Sequence, residues 1–113
     1  MSAAADPRDG ARATDYTNAA QQRLINVILA LFGNVIQGVA PAALARMVGC
    51  SPQVMHRDLD NLRTAGIAQR DETTGHWCLT PRLPQQALKA LASISEAEQR
   101  IAEARQRFTR TPD

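Results

Sequence analysis

The chain has 113 residues, which is enough for one compact domain with a modest extension but not for a second hydrophobic core. Hydrophobic residues make up 44% of the chain and aromatic residues only 4%, so Ala, Leu, Ile and Val must supply the core. A net charge of +2 is compatible with an acidic partner without requiring one. The sequence lacks a run of about 18 apolar residues, which argues against a membrane span, and residues 1–15 lack the apolar segment of a secretory signal.

Two further features of the composition concern the partner and the compartment. Twelve of the 13 basic residues are Arg, and the other is Lys89. The guanidinium fork suits phosphates and guanine edges, which favours a nucleic-acid partner, although a GC-rich genome explains the same bias equally well. Cys50 and Cys78 are isolated thiols, so we predict a reduced, cytoplasmic protein.

The N-terminal half of the chain predicts an arm followed by two helices. Residues 1–15 are small, polar and aperiodic, and we expect them to form a disordered arm. A first helix is predicted from about residue 17 to residues 32–33, with one face formed by Ala20, Leu24, Val27, Ile28 and Leu31. Pro41 suits the first position of a short second helix, and Gly49 suits its left-handed end.

The third helix has clear signals at both ends. Ser51 is expected to cap its N-terminus, Pro52 to occupy its first position and Gly66 to follow its last turn. Its inward side carries Val54, Met55, Leu59 and Leu62. The turn and the two helices around it, residues 44–62, predict a helix-turn-helix unit, with Cys50 as an apolar plug beneath the turn.

A β-hairpin is predicted next, because residues 67–70 and 76–79 flank a polar turn that contains Gly75. Alternation places Trp77 and Leu79 on one face, and His76 and Cys78 on the other. The order of elements predicts a mainly α fold, a winged helix-turn-helix of three helices and a two-stranded wing in residues 16–83. Two prolines, Pro81 and Pro84, are expected to separate it from a long helix in residues 84–108 and a tail, 109–113.

These residues resemble the N-terminal DNA-binding domain of IclR-type transcription regulators. The resemblance covers about residues 20–83 and rests on Gly49, His56-Arg57, Leu59, Leu62, Gly66-Ile67 and the stretch GHWCLTPRL at residues 75–83. It implies three helices with a two-stranded wing, and double-stranded DNA as the partner. The chain departs from the family at Asp58, where a hydrophobic residue is usual, and in lacking the effector domain. We therefore expect no small-molecule effector.

In a helix-turn-helix, the N-terminal part of the second helix faces base edges in the major groove. Gln53 suits adenine, Arg57 suits guanine or phosphate, and His56 suits a base or a phosphate. Neighbouring cations would contact the phosphates of the DNA backbone, and the wing would contact a flanking minor groove or a phosphate. The predicted DNA-binding residues are Arg46, Ser51, Gln53, His56, Arg57, Arg63, Arg70, Thr73, Thr74 and His76.

Each of these assignments has a structural alternative. Gln53 and Arg63 would also fit a solvated helix surface, Arg57 would also fit an ion pair with Asp58 or Asp60, and His56 would also fit a partly buried histidine. Residues 40–82 carry five Arg and four acidic residues, so a single copy should bind duplex weakly. Either the acidic residues face away from the DNA, or two copies act together.

The apolar pattern of the last helix predicts that two copies of the chain pair with each other. Apolar residues recur in it at alternating spacings of three and four from Ala87 onward, which is typical of a heptad seam. We predict a homodimer through Ala90, Ile94, Ala97, Ile101, Ala104 and Phe108, and loss of the dimer on truncation after Ser95. Leu88 and Leu91 are expected to pack on the winged domain, and the alternative is that residues 85–94 form a fourth core helix.

Enzyme function finds no support in the sequence, because no phosphate-binding loop, paired carboxylates or catalytic triad occurs at a usable spacing. We predict no enzymatic activity, no cofactor and no metal site, since the cysteines and histidines lack the spacing of zinc ligands. The size suits a regulator of a phage or mobile element. A winged helix that binds proteins rather than DNA is the alternative, because fold alone does not decide function.

Overall fold

The computed structural model describes residues 14–110. This part of the chain forms a helix α1 (Ala19–Phe32), α2 (Pro41–Val48), α3 (Pro52–Thr64), strands β1 (Ala68–Arg70) and β2 (Trp77–Leu79), and a helix α4 (Arg82–Thr109). The order confirms the predicted mainly α winged helix with a long C-terminal helix. Of the predicted disordered arm, residues 1–13 lie outside the described residues, as do residues 111–113 of the predicted tail.

A single core lies between α1, α2, α3 and the sheet. Its fully buried side chains come from all three helices and include Leu31, Leu44 and Leu59. The pairs of elements in contact are α1 with α2 and β2, and α3 with α2 and β1. Because each buried aliphatic side chain contributes about 1.5–3 kcal/mol, these contacts hold the three helices in place without a disulfide.

Local signals set the helix boundaries, as the sequence predicts. Gly49 ends α2 with φ +71°, a left-handed conformation that a side chain would disfavour. The Ser51 hydroxyl accepts a hydrogen bond from the Val54 N–H (3.2 Å) and caps α3, and Pro52 occupies the first turn. Together these residues produce the short turn that separates the two helices of the predicted helix-turn-helix.

The wing is an antiparallel pair in which Ala68 faces Leu79 and Arg70 faces Trp77. Trp77 and Leu79 are buried, as alternation predicts. The other edge of β2 forms an additional bridge, since Val39 and Trp77 exchange backbone hydrogen bonds of 2.9 Å. This bridge attaches the α1–α2 connection to the wing.

Helix α4 begins two residues before the predicted start. Pro84 lies in its first turn, where backbone N–H groups have no intrahelical acceptor, so this proline does not interrupt the helix. Leu83 packs against the core, but no residue of α4 is buried. The helix contacts the rest of the fold mainly at β2.

The expectation that Leu88 and Leu91 pack on the winged domain is wrong, because these side chains are 65% and 60% exposed. The alternative, that residues 85–94 form a fourth core helix, is wrong for the same reason. The core is already closed by α1, α2, α3 and the sheet, so α4 leaves it after its first turn. None of the helices within residues 14–110 has the length and apolar character needed to cross a membrane.

Candidate nucleic-acid interface

Helix α3 has one side in the core and one side in solvent. Met55, Leu59 and Leu62 are buried beneath it. On the opposite side Gln53, His56 and Arg57 are all exposed, and with Pro52 they line an open depression. The first two turns of α3 therefore present two amide or imidazole groups and a cation to solvent, uncovered by the wing or by α4.

Arg57 carries an unpaired charge within the described part of the chain. The sequence left open that it pairs with Asp58 or Asp60, and the structure rules out both pairs, because Asp58 binds Arg23 and Asp60 binds Arg63. Residues 14–110 provide no other ion pair for Arg57. Its guanidinium is consequently available to a ligand.

Asp58 stands where the IclR-type pattern usually has a hydrophobic residue, and it is buried, with only 7% of its surface exposed. Its two carboxylate oxygens accept hydrogen bonds from Nε (2.6 Å) and Nη2 (3.1 Å) of Arg23, which lies on α1. The bond to Asp58 raises the pKa of Arg23 above its ordinary value. The buried carboxylate of Asp58 is thus compensated by a cation from α1, outside the helix-turn-helix.

The other cations flanking α3 differ in their surroundings. Arg46 lies exposed in the last turn of α2. Arg63 pairs with Asp60, and Arg70 donates from Nη1 to Glu72 Oε2 at 2.9 Å. Both pairs are exposed, and exposed ion pairs contribute at most about 1 kcal/mol, so either guanidinium can exchange its carboxylate for a phosphate.

The tip of the wing is organised by hydrogen bonds to one carboxylate. Asp71 Oδ1 accepts from the backbone N–H of Thr73 (2.8 Å) and of Thr74 (3.4 Å). The Thr74 hydroxyl in turn accepts from the His76 backbone N–H at 3.1 Å. Thr73 and Thr74 are exposed, so the tip presents two threonine side chains to solvent.

His76 occupies a different position from the tip residues. It is half-buried, and its Nδ1 lies 3.2 Å from the Gln37 carbonyl oxygen in the α1–α2 connection. His76 therefore lies where the wing turn enters β2 and contacts the α1–α2 connection. Ser51 is exposed, but its hydroxyl already caps α3.

The structure places Gln53, His56 and Arg57 along one surface of α3. The predicted wing residues lie on the hairpin that follows, with Arg70 at the end of β1 and Thr73, Thr74 and His76 between β1 and β2. Sequence reasoning missed the Arg23–Asp58 pair and the contact of His76 with Gln37. Their partners are 35 and 39 residues apart, and no spacing rule for a helix or a strand links such positions. Asp58 alone gave a signal, as an acidic residue among the apolar positions of α3.

The cysteines and histidines that invited a zinc interpretation do not form a cluster. Within residues 14–110 no group of three or more His, Cys, Asp or Glu side chains is arranged to hold a metal ion. Cys50 and Cys78 are free and half-buried, and Cys50 packs against the core beneath the turn of the helix-turn-helix.

No family model and no curated protein matches the chain. Among solved structures, the chain is similar to the crystal structure of Pseudomonas aeruginosa HmgR, with 26% sequence identity and a TM-score of 0.59. The similarity covers 67% of this chain and 31% of HmgR, so the chain matches about a third of that protein's length. HmgR is an IclR-family regulator, and the likeness supports an IclR-like DNA-binding domain in this chain.

Proposed function

We propose that this protein is a transcription regulator that binds a specific double-stranded DNA sequence as a homodimer, with α3 in the major groove. The observation that carries the proposal is the exposed polar side of α3, where Arg57 has no ion pair within residues 14–110. A helix-turn-helix uses this part of its second helix to read base edges. The likeness to a regulator supports the same function.

The proposed contacts follow from the chemistry of each side chain. Gln53 offers the paired donor and acceptor that match adenine, and Arg57 offers the two parallel donors that match guanine. His56 lies between them on the same surface and contacts a base or a phosphate. Arg46, Arg63 and the wing hold the phosphate backbone and fix the register of the helix.

The charge of the interface is compatible with this function. Of the four acidic residues in residues 40–82, Asp58 is buried and neutralised by Arg23, so it does not repel phosphates. The remaining three lie in exposed surroundings beside Arg63, Arg70 or the wing turn. Affinity for duplex DNA depends on how many phosphates the protein neutralises. Because one copy has only a small excess of positive charge, we expect two copies to bind together.

Helix α4 provides the surface for a second copy. Ile94, Ile101 and Phe108 are 57%, 63% and 84% exposed, and they lie on one side of the helix together with the smaller Ala90, Ala97 and Ala104. A helix with an apolar seam in heptad spacing is stabilised by a matching helix. The identical helix of a second copy supplies that match and gives a two-fold symmetric protein.

Selection of bound duplexes from a random pool, followed by anisotropy titration, tests the proposed function. Arg57→Ala should weaken binding of the selected duplex by about 5- to 150-fold, because it removes a contact worth about 1–3 kcal/mol. Lys89→Ala, which removes a cation from α4 instead, is the matched control and should bind like the wild type. Failure of the wild type to bind any duplex saturably at low salt would refute the proposal.

A second candidate function is a protein-interaction module, and exposed apolar side chains outside α4 favour it. Ile25 and Leu29 on α1 are 51% and 61% exposed, and Ile36 in the following loop is 90% exposed. Contiguous exposed apolar patches are typical of protein contacts, and Ile25 and Leu29 are neighbours one helical turn apart on α1. The titration above separates the two functions, because a module of this kind would not select a duplex.

A further inference from the structure

The base of α4 is attached to the end of α3 by side-chain hydrogen bonds. Arg82 Nη1 donates to the carbonyl oxygen of Ala65, the C-cap residue of α3, at 2.8 Å. The Thr80 hydroxyl donates to the Gly66 carbonyl oxygen at 2.6 Å. The Thr80 backbone N–H donates to the Ile67 carbonyl oxygen at 2.9 Å. The chain entering α4 is therefore linked to three successive residues that follow α3.

This attachment uses the chemistry of a helix C-terminus. The last carbonyls of a helix have no intrahelical donor and carry the negative end of the helix dipole, so a guanidinium is a favourable partner there. Gly66 follows with φ +73°, a left-handed conformation that suits glycine, and this turn brings the end of α3 next to the start of α4. Leu83 adds an apolar contact with the core.

Beyond this first turn, α4 has little support from its own chain. None of its residues is buried, and its contact with the winged domain is mainly at β2. A helix of 28 residues is about 42 Å long at 1.5 Å per residue, so a rotation of about 10° at its base moves its far end by about 7 Å. The bonds at the base consequently decide the direction of the whole helix.

We infer that Arg82 is a positioning residue that fixes the angle between α3 and α4, and through it the spacing of the two DNA half-sites that a dimer accepts. The inference rests on the proposed function, in which two copies join through α4 and each inserts its α3 in a major groove. One added base pair shifts a half-site by about 3.4 Å and rotates it by about 34°. A dimer with a rigid junction between α3 and α4 should bind poorly to half-sites with the altered spacing, and a dimer with a loosened junction should still bind them.

The test uses the full chain and three duplexes: the selected inverted repeat, the same repeat with one base pair added between its halves, and a single half-site. For the wild type, the added base pair should lower affinity at least about tenfold, because the DNA must deform to restore the contacts. Arg82→Met keeps an unbranched side-chain stem but removes the guanidinium donors. We expect it to bind both repeats within about threefold of each other.

Four further measurements identify a positioning role for Arg82. Arg82→Met should bind the single half-site like the wild type and should retain the mass of the dimer. Lys89→Met, which removes a cation from α4 away from the junction, should keep the wild-type discrimination. Thr80→Val removes the hydroxyl bonds at nearly constant shape and should reduce discrimination in the same direction, which provides a second variant if Arg82→Met is too unstable to purify.

The outcomes separate this inference from the proposed function. A wild type that binds no duplex overturns both. A wild type that binds the repeat but does not discriminate spacing overturns the inference alone, as do Arg82→Met and Thr80→Val proteins that discriminate as sharply as the wild type.

Discussion

Asp58 occupies a position in α3 where a hydrophobic residue would pack more simply, and Arg23 is what makes it tolerable. The pair is largely buried, with side-chain exposures of 22% for Arg23 and 10% for Asp58, and it connects α1 to α3. Removing one member of such a pair leaves a buried charge without a partner, whereas replacing both by apolar residues is often neutral. The pair therefore holds α3 in place without adding net stability of its own.

We expect Arg23→Met to lower the free energy of unfolding by about 2–3 kcal/mol, because Asp58 would remain buried without its donors. The double variant Arg23→Met with Asp58→Leu should recover most of that loss. Urea unfolding of the single and double variants measures both values. Arg63→Met, which breaks only the exposed pair with Asp60, is the control and should cost under about 1 kcal/mol. Equal losses in the free energy of unfolding for Arg23→Met and Arg63→Met would contradict the role of Arg23 as the partner that compensates the buried Asp58.

Gly38 shows how a single residue joins the α1–α2 connection to the wing. Its φ is +71°, and a Cβ at this position would lie 2.6 Å from both the Trp77 carbonyl oxygen and Cys78 Sγ. Gly49 has the same φ but nothing within 4 Å of the corresponding Cβ. A side chain at Gly49 would therefore cost only the left-handed backbone conformation, whereas a side chain at Gly38 would also collide with β2.

Gly38→Ala should destabilise the protein by more than Gly49→Ala does. The left-handed conformation costs about 1–2 kcal/mol in both variants, and the collision with β2 adds to it only at Gly38. Thermal unfolding of the two variants measures the difference. Equal melting temperatures would contradict this prediction, because they would mean that the connection and β2 can move apart at Gly38 without loss of stability.

At the scale of the elements, the sequence predicted what short-range chemistry determines. Ser51, Pro52 and Gly49 act within a few residues of their own positions, so the limits of α2 and the start of α3 follow from local rules. The alternation of Trp77 and Leu79 likewise predicted the inward face of β2. The predicted contact residues on α3 are exposed, which their helical spacing from the buried Met55 and Leu59 already required.

What the sequence did not predict depends on contacts between distant residues. An apolar face shows that a helix needs a partner but not which surface covers it, so Leu88 and Leu91 were assigned to the wrong neighbour. The sequence predicted no partner for Arg23 or Arg82, because their acceptors lie 35 and 17 residues away along the chain. Two prolines near the start of α4 resembled a break, although the first helical turn accommodates proline.

The seam on α4 gives a prediction at the scale of the element. Ile101→Glu should convert the dimer to a monomer, because it places a charge in the apolar strip shared by the two copies. Gln99→Glu adds the same charge on the opposite side of α4 and is the control. Sedimentation equilibrium at micromolar concentration measures both masses. A dimer that survives Ile101→Glu would remove α4 as the dimer interface.

At the scale of the whole molecule, dimerisation and DNA binding should be coupled. Two α3 helices held together bind an inverted repeat with an effective concentration that a monomer lacks. We expect the wild type to prefer the repeat over a single half-site by at least about 100-fold, and Ile101→Glu to lose most of that preference while it still binds the half-site. Anisotropy titrations at one fixed salt concentration measure the ratio. Equal ratios for the two proteins would show that the copies bind independently.

The entry of α3 into a groove is most directly tested by following backbone amide resonances of the labelled protein while the selected duplex is added. The amides of Gln53, His56 and Arg57 should shift in a saturable manner, and those of α4 beyond Ile101 should move little. Shifts confined to α1 or α4, with the first two turns of α3 unchanged, would show that this helix does not contact DNA.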